Sequence, residues 1–167
     1  MVLSFLCIFT VACQKIEQHN SCKDFVQNFY DWYVPYANNE SNFLSSDVAI
    51  KEKGEFFNPL LLNLLKKESQ RHSREKGVIS GLDFDPFLAT QDPYLKYHVS
   101  SAEMKNDICF AKIEGISSNN VPQNINLFVE LKIAEGHWRF VNFHYGPTKK
   151  RKDENLIDLL NDIFKEK

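Results

Sequence analysis

The sequence predicts an α+β domain in which N-terminal helices pack on an antiparallel sheet of about four strands and a C-terminal helix closes the chain. Three observations predict it. Apolar residues recur at helical spacing in the first half, switch to period two between about 94 and 145, and return to helical spacing after Asp153. Elements segregated in that order argue for helices gathered on one face of a sheet. The length of 167 residues suits one domain, with 14 Phe, 6 Tyr and 2 Trp to fill its core. A domain near 150 residues buries roughly 68–70% of its unfolded surface, so no metal or disulfide is needed to support the core. A net charge of −2 excludes the global electrostatic footprint of a nucleic-acid binder. The one basic run, Lys149-Lys150-Arg151-Lys152, is answered at once by Asp153 and Glu154 and reads as a solvated loop.

Ser21, with Asp24 three residues on, reads as the start of a first helix, Asp standing where a capping box has Glu. Cys22, Phe25, Val26, Phe29 and Tyr33 give it one apolar stripe, and Pro35 ends it. A short helix is expected within 38–53, around Val48, Ala49 and Ile50. Asn58-Pro59 starts another, a cap residue followed by Pro at the first helical position. That helix carries Leu60, Leu61, Leu62, Leu64 and Leu65, runs into the polar stretch 66–76 and stops by Gly77. Two strands, about 97–104 and 108–116, flank a hairpin turn at Lys105-Asn106-Asp107. Ile125, Leu127, Val129, Leu131 and Ile133 alternate with Asn126, Phe128, Glu130, Lys132 and Ala134 as a half-buried strand. Glu135-Gly136 turns it into a returning strand bearing Trp138, Phe140, Val141, Phe143 and Tyr145, whose apolar residues on both faces imply cover on both. Asp153 opens the last helix, with Leu156, Ile157, Leu159, Leu160, Ile163 and Phe164 on one side.

Residues 2–12, VLSFLCIFTVA, form an uncharged apolar run. It is too short to span a bilayer, which takes about 20 residues, and it has the length of a secretory apolar stretch. Thr10-Val11-Ala12-Cys13 resembles the bacterial lipobox, in which the Cys receives lipid and the chain is cut before it. No Lys or Arg precedes the run, so either the native start lies upstream or Met1 is not the initiator. The implied organisation is a leader at 1–12, lipidation at Cys13, a tether at 13–20 and a domain at 21–167. A buried N-terminal strand with an incidental Cys is the competing reading. Gln14, where inner-membrane retention usually has Asp, points to the outer membrane. With Cys7 removed and Cys13 lipidated, Cys22 and Cys109 remain; they either pair in an oxidising compartment or, for Cys22, pack free as a small hydrophobe.

Three segments resemble a bacterial domain-of-unknown-function family, numbered 3828. They are Phe25-Val-Gln-x-Phe-Tyr-Asp-Trp-Tyr33, Gly81-Leu-Asp-Phe-Asp-Pro-Phe-Leu-x-x-Gln-Asp-Pro93 and Trp138-Arg-Phe-Val-Asn-Phe143. The resemblance covers most of the chain after Cys22. It implies a nuclear transport factor 2-like fold, a curved antiparallel sheet wrapped around helices to leave a cone-shaped cavity, in an exported lipoprotein. Activity does not follow from it, because that fold hosts enzymes, binding modules and interaction domains.

The segment 81–93 is the most unusual stretch, and Asp83, Phe84, Asp85, Phe87, Gln91 and Asp92 are its candidate binding residues. Three carboxylates on a rigid loop suit a hard cation, but no calcium-loop spacing is present, and the Cys and His spacing makes no zinc site. The competing reading has the Asp side chains capping turns while the Phe residues pin the loop to the core. An acid–base enzyme would draw on Asp31, Asp83, Asp85, His98 and His144, with Tyr30, Tyr97 or Tyr145 as donors. Asn142 and His144 share a strand face and would point together into a cone; Arg139 would pair with an acid such as Asp31. No catalytic set, metal site or cofactor motif can be assembled from these residues. The expected function is a lipid-anchored envelope protein that binds another envelope protein or a small apolar ligand, not nucleic acid. The alternatives are a small cavity enzyme using an Asp/His pair and an immunity-type protein against a secreted toxin.

Overall fold

The computed structural model describes the backbone of residues 6–39, 45–74, 81–146 and 153–165, with side chains for all of these except 6–21 and 72–74. The elements are α1 (Leu6–Ala37), α2 (Ser45–Glu52), a 3-10 turn (Gly54–Phe56) and α3 (Pro59–Arg74), then β1 (Lys96–Lys105), β2 (Ile108–Ile116), β3 (Pro122–Ala134), β4 (His137–His144) and α4 (Leu156–Lys165). The strands form an antiparallel meander in the order β1-β2-β3-β4. This is the α+β architecture that the change of periodicity predicts, a curved four-stranded sheet with helices before it and one after. The basic run 149–152, Gly77 and the side chains of Cys7 and Cys13 lie outside what is described.

Helix boundaries depart from expectation in three places. α1 begins at Leu6, so Ser21 and Asp24 are interior positions and the backbone of 14–20 is helical. No Gly or Pro occurs between 6 and 34 to stop propagation. Pro35 does not end α1, which runs two residues further. So near the terminus Pro forfeits only one backbone bond. The end is closed by Asn38, whose N–H and side-chain amide both donate to the Val34 carbonyl, at 3.0 and 3.2 Å. α4 is capped by Asn155 rather than Asp153: the Asn155 Oδ1 accepts the Asp158 N–H at 3.1 Å. α3 starts where expected, with Asn58 Oδ1 accepting the Leu61 N–H at 2.7 Å.

Two of the three β-hairpins turn through pairs of left-handed residues, Asn106 and Asp107 (φ 49° and 62°) and Glu135 and Gly136 (φ 54° and 78°). Such turns match the twist of the strands they join. A bulge corrects the expectation that β4 needs cover on both faces. Glu130 pairs with Asn142 and Leu131 with Phe140, leaving Val141 as the extra residue. Trp138, Phe140 and Phe143 therefore all reach the core side, opposite Ile133, Leu131 and Val129. On the other face, Asn142 Oδ1 accepts the Ile157 N–H at the start of α4 at 3.2 Å.

The sheet's inner face (Val99, Ala111, Ile113, Leu127, Val129, Leu131, Phe140, Phe143) packs on the α1 stripe of Cys22, Val26, Phe29, Tyr30 and Tyr33. Phe29 is the hub, its ring centroid 4.8 Å from Phe140, 5.5 Å from Tyr33 and 5.8 Å from Phe87. These side chains are essentially inaccessible. The concave side is filled by aromatics where the family resemblance implies a cavity. Gly115 is required where β2 passes Tyr94, because a Cβ there would come within 2.4 Å of that ring. Cys22 of α1 and Cys109 of β2 are joined by a disulfide, with Cα atoms 6.6 Å apart.

Candidate functional site

The 81–93 loop is fixed from three sides. Asp85 and Thr90 bridge its base, with the Asp85 N–H donating to the Thr90 carbonyl at 3.0 Å and the Ala89 N–H to the Asp85 carbonyl at 2.9 Å. Within the turn, Asp85 Oδ1 accepts the Phe87 and Leu88 N–H groups at 2.9 and 3.2 Å. Its Oδ2 accepts the Tyr33 and Ser45 hydroxyls at 2.5 and 2.7 Å, tying the loop to α1 and α2. The Tyr30 hydroxyl donates to the Phe87 carbonyl at 2.9 Å, and the Tyr145 hydroxyl to the Pro86 carbonyl at 2.8 Å. Burial holds the phenols of Tyr30, Tyr33 and Tyr145 well above the usual tyrosine range, so each stays a neutral donor. Burial also raises the Asp85 carboxyl; its four hydrogen bonds pull the other way and are outweighed.

The candidate loop residues divide accordingly. Phe87 is a correction: it is a core residue, packed between the rings of Phe57, Tyr33 and Phe143 at 5.2–5.3 Å, and presents no surface to a ligand. Asp85 caps the turn. Phe84 lies edge-on to Tyr145 at 5.1 Å. Gln91 bonds the Asp83 carbonyl, and the Asp83 and Asp92 side chains are on the exposed side. Asp83, Phe84, Asp85 and Gln91 line a cleft of about 320 Å³ between the loop, α2, α3 and the C-terminal end of α1. Its other walls include the carboxylates of Asp47 and Glu68 and the apolar side chains of Ile50, Leu65 and Leu82, with no Lys, Arg or His among the described lining residues. Glu68 is buried, paired with Arg71 at 3.2 Å and accepting the Leu82 N–H at 3.2 Å. Sequence reasoning missed Tyr33, Ser45, Asp47 and Glu68. The one available signal was a Glu in the polar stretch 66–76 into which α3 runs.

The acid–base candidates are not brought together. Asp31 is exposed and accepts the Gln27 amide at 2.9 Å. Gln27 in turn holds the β1 edge, with Nε2 donating to the Tyr97 carbonyl and Oε1 accepting the Val99 N–H at 3.0 and 2.9 Å. His98 is exposed on β1. It borders a second, open cavity of about 550 Å³ with Tyr30, Asp31, Leu95 and Tyr97. Tyr97 accepts the Tyr94 N–H at 3.3 Å. His144 pairs with Glu130 at 3.1 Å on the outer sheet face, and Asn142 lies on that same face under α4. Neither points into the concave interior, because the bulge at Val141 turns Phe140 and Phe143 inward instead. Arg139 pairs with Glu135 at 2.6 Å, not with Asp31, since the β3–β4 hairpin brings that carboxylate beside it. Among the described residues no group of His, Cys, Asp and Glu could hold a metal ion, and no helix is long and apolar enough to cross a membrane.

No family model, curated protein or solved structure matches the chain.

Proposed function

We propose that this chain is a bacterial envelope lipoprotein, tethered through Cys13 and probing the periplasm from the outer membrane, with a non-catalytic domain that binds an envelope partner or a small ligand with an apolar body. The domain is placed with the bacterial family it resembles in sequence. The single observation that carries the reading is the buried Cys22–Cys109 disulfide. Such cross-links persist in oxidising compartments and are rare in cytosolic chains. The cleft beside the 81–93 loop supplies the binding surface: an apolar floor of Ile50, Leu65 and Leu82 with carboxylates at its sides, framed by a loop that four side chains hold in place. A preorganised surface loses little freedom on binding, which favours recognition.

The test is expression of the full chain in a bacterium fed radiolabelled palmitate, followed by membrane fractionation and a count of free thiols. The wild type is expected in the outer-membrane fraction, labelled, with Cys22 and Cys109 blocked. The Cys13→Ser variant is expected unlabelled and released. Unlabelled wild-type protein in the soluble fraction, or free thiols at both positions, overturns the assignment.

A further inference from the structure

We propose that the hairpin end of the sheet is a membrane-facing surface that rests on phospholipid headgroups, so that the cleft is presented away from the bilayer; this rests on the lipid anchor at Cys13. The geometry that carries it is the antiparallel alignment of α1 and β1. At one end, Cys22 is bonded to Cys109, whose strand partner on β1 is Met104. Further along α1, Gln27 bonds Tyr97 and Val99, and past its end Asn38 bonds the Tyr94 carbonyl at 3.1 Å. Both tight hairpins, Asn106-Asp107 and Glu135-Gly136, therefore lie at the Cys22 end, since Cys109 pairs with Leu131 three residues before β3 ends. The cleft and the 81–93 loop lie at the other end, with Ala37 in the cleft wall.

The distance from anchor to domain is short. Cys13 and Cys22 are nine positions apart on the continuous α1 helix, about 13.5 Å at 1.5 Å per residue. A bilayer's headgroup layer is roughly 5–7 Å deep on each side. A lipid on Cys13 thus holds the Cys22 end within one helix diameter or so of the headgroups, while Ala37 stands about 22 Å further along the axis. The surface at the near end fits that neighbour. Ile133, 42% exposed, lies beside the β3–β4 turn, and Lys105 and Lys132 are exposed at the same end together with Asp107 and Glu135 of the two turns. Leu60, 57% exposed, sits on the first turn of α3, which enters at this end because the Asn58 N–H donates to the Phe140 carbonyl at 2.9 Å. Exposed apolar side chains and lysine stems are tolerated at the headgroup boundary, and the orientation itself follows from the short helical reach between Cys13 and Cys22.

The test uses lipidated full-length protein, with acylation of Cys13 verified by the mass of its N-terminal peptide, in vesicles of phosphatidylethanolamine and phosphatidylglycerol with brominated acyl chains. Ile133→Trp and Leu95→Trp place a reporter on an exposed site at each end, and Leu60→Trp is a second near-end reporter. The near-end reporters are expected to lose about twofold more fluorescence than Leu95→Trp, as burial some 5–10 Å into the boundary requires. Equal quenching, or stronger quenching at Leu95→Trp, with Cys13 acylated overturns the orientation and leaves the anchor standing. Cys13 without lipid overturns both.

Discussion

Opening the Cys22–Cys109 bridge is the perturbation whose size follows most directly from the structure. The cross-link spans a sequence separation of 87 residues, more than half the chain. In the chain-entropy treatment, closing a loop of that length removes about 15 cal/mol/K from the unfolded ensemble, or about 4.6 kcal/mol at 25 °C. Domains of this size are stable by roughly 5–15 kcal/mol, so reduction should remove between a third and nearly all of the stability. Reduced and oxidised wild type are the cleanest pair, because no side-chain atoms are lost; Cys22→Ala with Cys109→Ala adds a packing defect, both sulfurs being buried. Urea denaturation followed by far-ultraviolet circular dichroism reads the difference. The midpoint should fall on reduction, and the m-value should rise, because an unfolded chain without the cross-link exposes more surface. A stability loss under about 1 kcal/mol would refute the reasoning, since the unfolded chain would then be compact without the bridge.

Two further perturbations act on the loop. Phe87→Ala empties a site between Phe57, Tyr33 and Phe143 and should cost about 3–5 kcal/mol in urea titration; a loss below about 1 kcal/mol would place Phe87 on the surface. Asp85 predicts an inverted pH dependence. Its carboxyl is raised above the ordinary value of 3.8, so above that pH the folded protein keeps a proton that the unfolded chain has released. The contribution of this group is therefore fully present below pH 3.8 and is lost as pH rises through its folded-state value. Urea midpoints of wild type and Asp85→Asn across pH 4–8 should diverge, the wild type losing ground to the variant as pH rises. Parallel curves would show that the four hydrogen bonds outweigh burial.

The fold was legible wherever side-chain period alone decides the outcome. Leu127, Val129 and Leu131 alternate so strictly that their burial could be read directly, and Asn58-Pro59 marks a helix start by residue chemistry. Period cannot show where a strand gains a residue. The bulge at Val141 makes one-sided burial look two-sided, and the left-handed Asn126 at the β3 bulge hides that the strand begins at Pro122 rather than near Ile125. Helix starts failed for a related reason. Ser21 has the side chain of a cap, yet nothing before it breaks the backbone, so propagation from Leu6 prevails. In the loop, Asp85 and Phe87 were legible as residue types, a turn-capping carboxylate and a core ring. Their partners were not: Tyr33 reads as one more member of the apolar stripe, and Ser45 lies 40 residues away in a polar segment.

These partners also decide what Asp85 can do. A carboxylate raised by burial inside a cleft is a recurrent mark of a proton-transfer site, and on that ground alone it would speak for an enzyme. Such a group must also be reachable by a substrate. Both Asp85 oxygens are already occupied, two backbone amides on one and two hydroxyls on the other, and two tyrosines that would serve as donors are committed to the carbonyls of Pro86 and Phe87. Moving a proton at Asp85 would mean opening the turn that holds Phe87 in the core. The raised carboxyl is thus explained by a turn cap drawn into the interior, with no catalytic demand on it. Asp83 is different: it is exposed at the cleft and no side chain of the described residues bonds its carboxylate, so the binding proposed for this cleft would fall on it and on the apolar floor, while Asp85 holds the frame.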